Sequence, residues 1–115
     1  MKSPKSGKLV GRVKLSEVKE KELVRVPYPP FDVLVAWAGG HVFAIEDACN
    51  HAGASLAEGW IEEDCVACPM HGYIFELRTG KLVRPRGLCG DQRTYEVEIE
   101  DDDVVVYDTF SVVLV

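Results

Sequence analysis

Apolar positions along this chain come in short runs, most of them strand-length and broken by Gly, Pro or Asp. Lys8 to Lys14 carries Leu9, Val10 and Val13, and Leu23 to Val26 is apolar apart from Arg25 and stops at Pro27. Asp32 to Trp37 is a nearly continuous apolar run. Gly39-Gly40 can turn tightly after it, and His41 to Ile45 returns, the pattern of a hairpin. Tyr95, Val97 and Ile99 alternate with Glu96, Glu98 and Glu100, the period-two signature of a half-buried strand. Asp101-Asp102-Asp103 then predicts a solvated turn, with Val104 to Tyr107 pairing back; a calcium loop would spread its carboxylates further apart. Helical periodicity is weak. Ser16 to Glu20 predicts one or two turns with Ser16 as cap, and Ser55 to Glu58 a short turn. Many short strands joined by Gly and Pro turns predict a small all-β sandwich or barrel-like domain.

Composition narrows the function. The 115 residues suit one domain, and 47% apolar with 28% charged residues describes a folded globular chain. Thirteen basic against 19 acidic side chains leave a net charge of −6, which repels nucleic-acid phosphates. No apolar run approaches the about 20 residues of a membrane span. The Met1 to Gly7 segment lacks the apolar core of a signal peptide, so a cytoplasmic location is expected.

The chemistry lies in four cysteines (Cys49, Cys65, Cys68, Cys89) and three histidines (His41, His51, His71). In a reducing compartment, cysteines beside histidines read as ligands and not as disulfides. Two turn-like loops, 49–53 and 68–72, each hold one of each: Cys49-Asn50-His51, then 16 residues, then Cys68-Pro69-Met70-His71. One zinc could take all four groups tetrahedrally. A [2Fe–2S] cluster could instead take two thiolates on one iron and two imidazoles on the other. Zinc fingers usually keep cysteines together and histidines together. Mixed loops suit a dinuclear cluster lying between them, with each loop reaching both irons.

Cys49-x-His51 with Cys68-x-x-His71 resembles the Rieske [2Fe–2S] domain. Cys49 to Leu56 and Cys68 to Gly72 are similar to its cluster loops, Phe75 to Gly80 resembles the strand and turn that follow, and Pro85, within 83–87, stands at its proline loop. The likeness runs over about residues 8 to 108 and implies one Rieske domain, 1–115, of stacked antiparallel sheets. It implies Cys49 and Cys68 on one iron, His51 and His71 on the other, and one cluster per chain. Members of membrane-bound bc-type complexes have an inter-loop disulfide, whose positions are Ala54 and Met70 here. They also have serine and tyrosine hydroxyls near the cluster, at positions that are Tyr73 and Phe75 here. Those departures resemble the soluble ferredoxins of ring-hydroxylating oxygenases. With fewer donors to stabilise the reduced cluster, a potential of roughly −150 to 0 mV is expected.

The implied function is one-electron shuttling from a flavin-dependent reductase to a terminal oxygenase, by a monomer that is not itself an enzyme. An oxygen-activating iron site needs two histidines and a carboxylate, and only His41 remains. A non-shuttling small subunit of a nitrite reductase and a zinc-binding interaction module are the alternatives. Cys65 reads as a buried structural thiol and Cys89 as a spectator near the proline loop. His41 reads as a surface residue starting a strand, and Trp37 and Trp60 as core or edge packing. Arg78, Lys81, Arg84, Arg86 and Arg93 concentrate around the proline loop, as a solvated face or a docking rim.

Overall fold

The structure is a computed structural model that describes residues 7–49, 53–70, 72–84 and 90–109. Expectations for His51, His71, Pro85, Arg86 and Cys89 fall on residues outside that range. The described elements, in chain order, are β1 (Lys8–Lys14), α1 (Leu15–Lys21), β2 (Leu23–Val26), β3 (Val33–Ala38), β4 (His41–Glu46), a 3-10 turn (Leu56–Glu58), β5 (Trp60–Glu62), β6 (Cys65–Ala67), β7 (Ile74–Glu76), β8 (Leu82–Arg84), β9 (Thr94–Glu100) and β10 (Asp103–Asp108). They build a six-stranded sheet, β1-β10-β9-β4-β3-β2, and a four-stranded sheet, β5-β6-β7-β8, and every pairing is antiparallel. The larger sheet curls until its two edges approach. A side chain begun on Gly11 of β1 would lie 3.2 Å from Val26 of β2. Among the described residues no helix is long and apolar enough to cross a membrane.

The β3 run is continuously apolar because the strand is buried on both faces. Side chains alternate across a strand, so Val33 and Val35 enter one core with Val18, Val104 and Val106. Leu34, Ala36 and Ala38 enter a second core with Leu56, Val66 and Phe75. That second core is the one beneath the Cys-His loops. Alternation in β9 fades toward its end: Tyr95 is buried, Val97 half-buried and Ile99 exposed.

The start of α1 departs from the sequence expectation. The residue before the helix is Lys14, and no side chain caps it. Ser16 donates its hydroxyl to Asp102 Oδ2 at 3.1 Å, and the Leu15 amide donates to the Asp102 carbonyl at 2.7 Å. The acidic turn is therefore more than solvated. Asp102 receives the helix N-terminus, and Asp103 pairs with Lys14 at 3.2 Å and Arg12 at 3.4 Å.

At the other end of β10, Asp108 gathers a network. The Tyr28 hydroxyl donates to its Oδ2 at 2.7 Å and the Arg93 guanidinium reaches the same oxygen at 2.9 Å. Arg93 also lies 4.9 Å over the Tyr95 ring, whose edge meets Tyr28. The hydrogen bond to Asp108 raises the Tyr28 pKa above its usual 10.0, with burial and the Asp108 charge adding to it. Burial raises that of Tyr95. The folded chain thus holds both phenolic protons more tightly than the unfolded chain. Their contribution to stability is intact below pH 10 and is lost as pH rises through 10 and beyond. Tyr28→Phe is expected to cost about 1 kcal/mol at pH 7 and to flatten the alkaline fall of the melting temperature. Calorimetry from pH 7 to 11 checks both.

Candidate metal centre

The two Cys-His loops are built to one backbone plan. In the first, which follows β4, the Cys49 amide donates to the Ala54 carbonyl at 2.8 Å and the Gly53 amide donates to the Cys49 carbonyl at 2.7 Å. In the second, between β6 and β7, the Cys68 amide donates to the Tyr73 carbonyl at 2.7 Å and the Gly72 amide donates to the Cys68 carbonyl at 3.1 Å. Each cysteine thus opens a turn closed four and five residues later. Each turn needs a left-handed residue, and Gly53 (φ 73°) and Gly72 (φ 67°) supply it without strain. A side chain would have room at either position, so the backbone angle alone asks for glycine there.

The equivalent turns set two thiols in one hydrophobic core. Cys49 and Cys68 are both buried, and both belong to the core formed with Leu34, Leu56, Val66 and Phe75. One thiol arrives from the six-stranded sheet and the other from the four-stranded sheet. The Met70 amide donates to Cys68 Sγ at 3.4 Å, within the range for a sulfur acceptor. A backbone N–H aimed at sulfur stabilises charge on it, which suits a ligating thiolate.

Two buried polar side chains brace the first loop. Asp47 accepts the Ser55 hydroxyl at 2.7 Å on one oxygen and the Ala57 amide at 2.9 Å on the other. Burial pushes its carboxyl pKa up, against the pull of those two donors. The Gln92 carboxamide donates to the carbonyls of Glu46 and Ala48, each at 2.8 Å. Neither residue stands out in the sequence. Asp47 carried a faint signal in standing two positions before Cys49, whereas Gln92 carried none.

Other expectations divide. Phe75 is fully buried under the loops, and Tyr73 is buried beside it. His41 is exposed at the start of β4, and Trp37 is half-buried with Lys19 5.0 Å over its ring. Trp60 is 47% exposed on the edge strand β5, its indole N–H on Glu62. The basic cluster is more dispersed than its sequence positions suggest. Arg93 is committed to Asp108, Arg78 lies 5.5 Å over Phe43, and Arg84 sits 3.5 Å from Glu62.

Cys65 is half-buried and not buried, because β6 presents it to a surface hollow lined by Glu62, Glu63, Ile74, Val83 and Arg84. Burial, then the charge and hydrogen bond of Asp64 and the charges of Glu76 and Glu63, push its thiol up to about 11 from 9.0. At pH 8 its thiolate population is lower by about 100-fold than that of an ordinary thiol. In a Cys89→Ser holoprotein, iodoacetamide is expected to label Cys65 about 100-fold more slowly than in the denatured chain. Mass spectrometry over time checks this, and equal rates would contradict it.

Among the described residues no three His, Cys, Asp or Glu side chains converge on a metal position, since both loop histidines lie outside them. The described half of the donor set fits a cluster: two buried thiols in one core, on two equivalent turns, one with an amide on its sulfur. Residues 9–96 match the model of the Rieske [2Fe-2S] domain. The ferredoxin component of biphenyl 2,3-dioxygenase from Rhodococcus jostii (strain RHA1) is 41% identical over 85 residues, 74% of this chain and 78% of that protein. The ferredoxin of carbazole 1,9a-dioxygenase from Nocardioides aromaticivorans IC177 superposes with a TM-score of 0.75 at 26% identity, over 85% of this chain and 95% of that one. A ferredoxin solved in complex with the oxygenase of carbazole 1,9a-dioxygenase gives 0.73 at 30% identity, over 84% and 92%. With paired Cys-His loops inside the matched span and relatives of nearly its own length, this chain belongs to the Rieske [2Fe-2S] domain family.

Proposed function

We propose that this chain, as one Rieske domain spanning 1–115, is the ferredoxin of a ring-hydroxylating oxygenase system and carries electrons singly from a flavin-dependent reductase to the terminal oxygenase. Cys49 and Cys68 hold one iron of its [2Fe–2S] cluster, and His51 and His71 hold the other. The observation that carries the reading is the pair of equivalent turns setting two buried thiols in one core. When bound, the cluster supplies one reversible electron. The chain's own residues decide where that electron can leave. Leu34, Leu56, Val66 and Phe75 close the sulfur side to water, so exchange takes place at the loop tips. Exposed Met70, in the second loop, offers apolar contact there. The protein works as a cytoplasmic monomer with a potential of roughly −150 to 0 mV.

Anaerobic stopped-flow mixing with the reductase of the same system tests this. Rapid one-electron reduction, followed by reoxidation on mixing with oxygenase and its substrate, is the expected result. A reduced protein that the oxygenase does not reoxidise would contradict shuttling and favour a fixed subunit. Arg84→Glu with Arg86→Glu should slow reduction, most at low salt, because rim charges act on encounter rate. The effect of Arg84 should be only a few-fold, since Glu62 already offsets its charge. Equal rates at every salt concentration would remove the arginine rim from docking.

A further inference from the structure

The two ligand loops hang from different sheets, so something must fix one against the other. The buried polar side chains among the described residues are Asp47 and Gln92, each 3% exposed. Asp47 acts within the first loop's own stem. Gln92 lies far from it in sequence, just beyond the 85–89 stretch, and bridges to it. Its carboxamide nitrogen spends both hydrogens on the first stem, at the Glu46 and Ala48 carbonyls. Its backbone is fastened to the other sheet. The Gln92 amide donates to the Gly80 carbonyl at 2.7 Å, and the Gly80 amide donates to the Glu76 carbonyl at 2.7 Å, at the end of β7. Gly80 is packed so closely that a Cβ there would run into the Gln92 carbonyl. β7 is the strand leaving the second ligand loop. One residue therefore ties the stem of the first loop to the turn at the far end of the strand that leaves the second.

We infer that Gln92 is a positioning residue for the cluster, a strut that sets the separation of the Cys49 and Cys68 loops. The inference rests on the ligand assignment above, because each loop reaches both irons only if the loops keep their spacing. A carboxamide suits the task. Its one NH2 group offers two donors and so holds two carbonyls at once.

Gln92→Met keeps the length of the side chain and removes both donors. Val106→Ala, a cavity in the other core, serves as a control for general destabilisation. Both are prepared as holoproteins and compared by far-UV circular dichroism, EPR of the reduced cluster and iron loss to a chelator. Gln92→Met should keep the strand signature, shift and broaden the EPR lines, and lose iron about 10-fold faster, as outer partners of metal ligands commonly do. Val106→Ala should keep the wild-type EPR lines. Should Gln92→Met not accumulate with iron, Gln92→Asn, one methylene short of both carbonyls, should show an intermediate shift of the same lines. Wild-type EPR lines in the Gln92 variants, or iron loss no faster than in a control of equal melting temperature, would overturn the strut. A wild-type protein without a Rieske-type EPR signal would instead overturn the ligand assignment.

Discussion

Replacing His71 by cysteine is expected to lower the reduction potential by on the order of 100–200 mV while leaving a coloured [2Fe–2S] protein. The reason is charge. An imidazole ligand is neutral and a thiolate carries −1, so the substitution would add one negative charge at the iron that His71 holds. All-thiolate plant-type centres lie near about −400 mV, whereas centres with two imidazoles span about −150 to +300 mV. One of the two exchanges should cover a sizeable part of that gap. The four-residue backbone closure of the second loop does not depend on the side chain at 71, so the loop should keep its turn. Protein-film voltammetry of wild type and variant reads the shift directly. An unchanged potential in a variant that retains its cluster would show that His71 is not a ligand.

Phe75→Ala should have the largest effect on the fold. Phe75 is fully buried and packs in the core that also holds Cys49 and Cys68. Removing a buried phenyl ring typically costs about 3–5 kcal/mol, part transfer and part cavity. A cavity at this place loosens the floor under both thiols, so iron should be lost together with stability. Denaturant unfolding and iron content measured on the same samples should fall in parallel. Phe75→Tyr is the informative companion. Its hydroxyl enters a dry core, and if it reaches a cysteine sulfur it stabilises the reduced cluster and raises the potential. If it finds no partner, stability falls by about 1–3 kcal/mol with the potential unchanged.

What the sequence revealed follows from the range of each interaction. The Cys-His loops were legible because ligand type, spacing and the closing Gly53 and Gly72 all lie within a few residues. The β3 run was legible as a strand, but its two buried faces show only when sheet, helix and second sheet are assembled. Ser16 looked like a cap because local rules place a serine there. Its hydroxyl instead finds Asp102, which only the pairing of β1 with β10 brings near. Arg78, Arg84 and Arg93 looked like one basic face because they are close in sequence. Phe43, Glu62 and Asp108 draw them to three separate places. Gln92 gave no signal at all. A lone glutamine in a polar stretch has no periodicity, and its role comes from two carbonyls more than forty residues earlier.

The ligand assignment is the centre of this account, and electron-nuclear double resonance tests it most directly. The protein is reduced by one electron after growth on 15N-labelled histidine. Two distinct 15N couplings to the cluster are expected, with one of them lost in His51→Cys and the other in His71→Cys. A native cluster with no histidine nitrogen coupling, or couplings that persist in both variants, would contradict it.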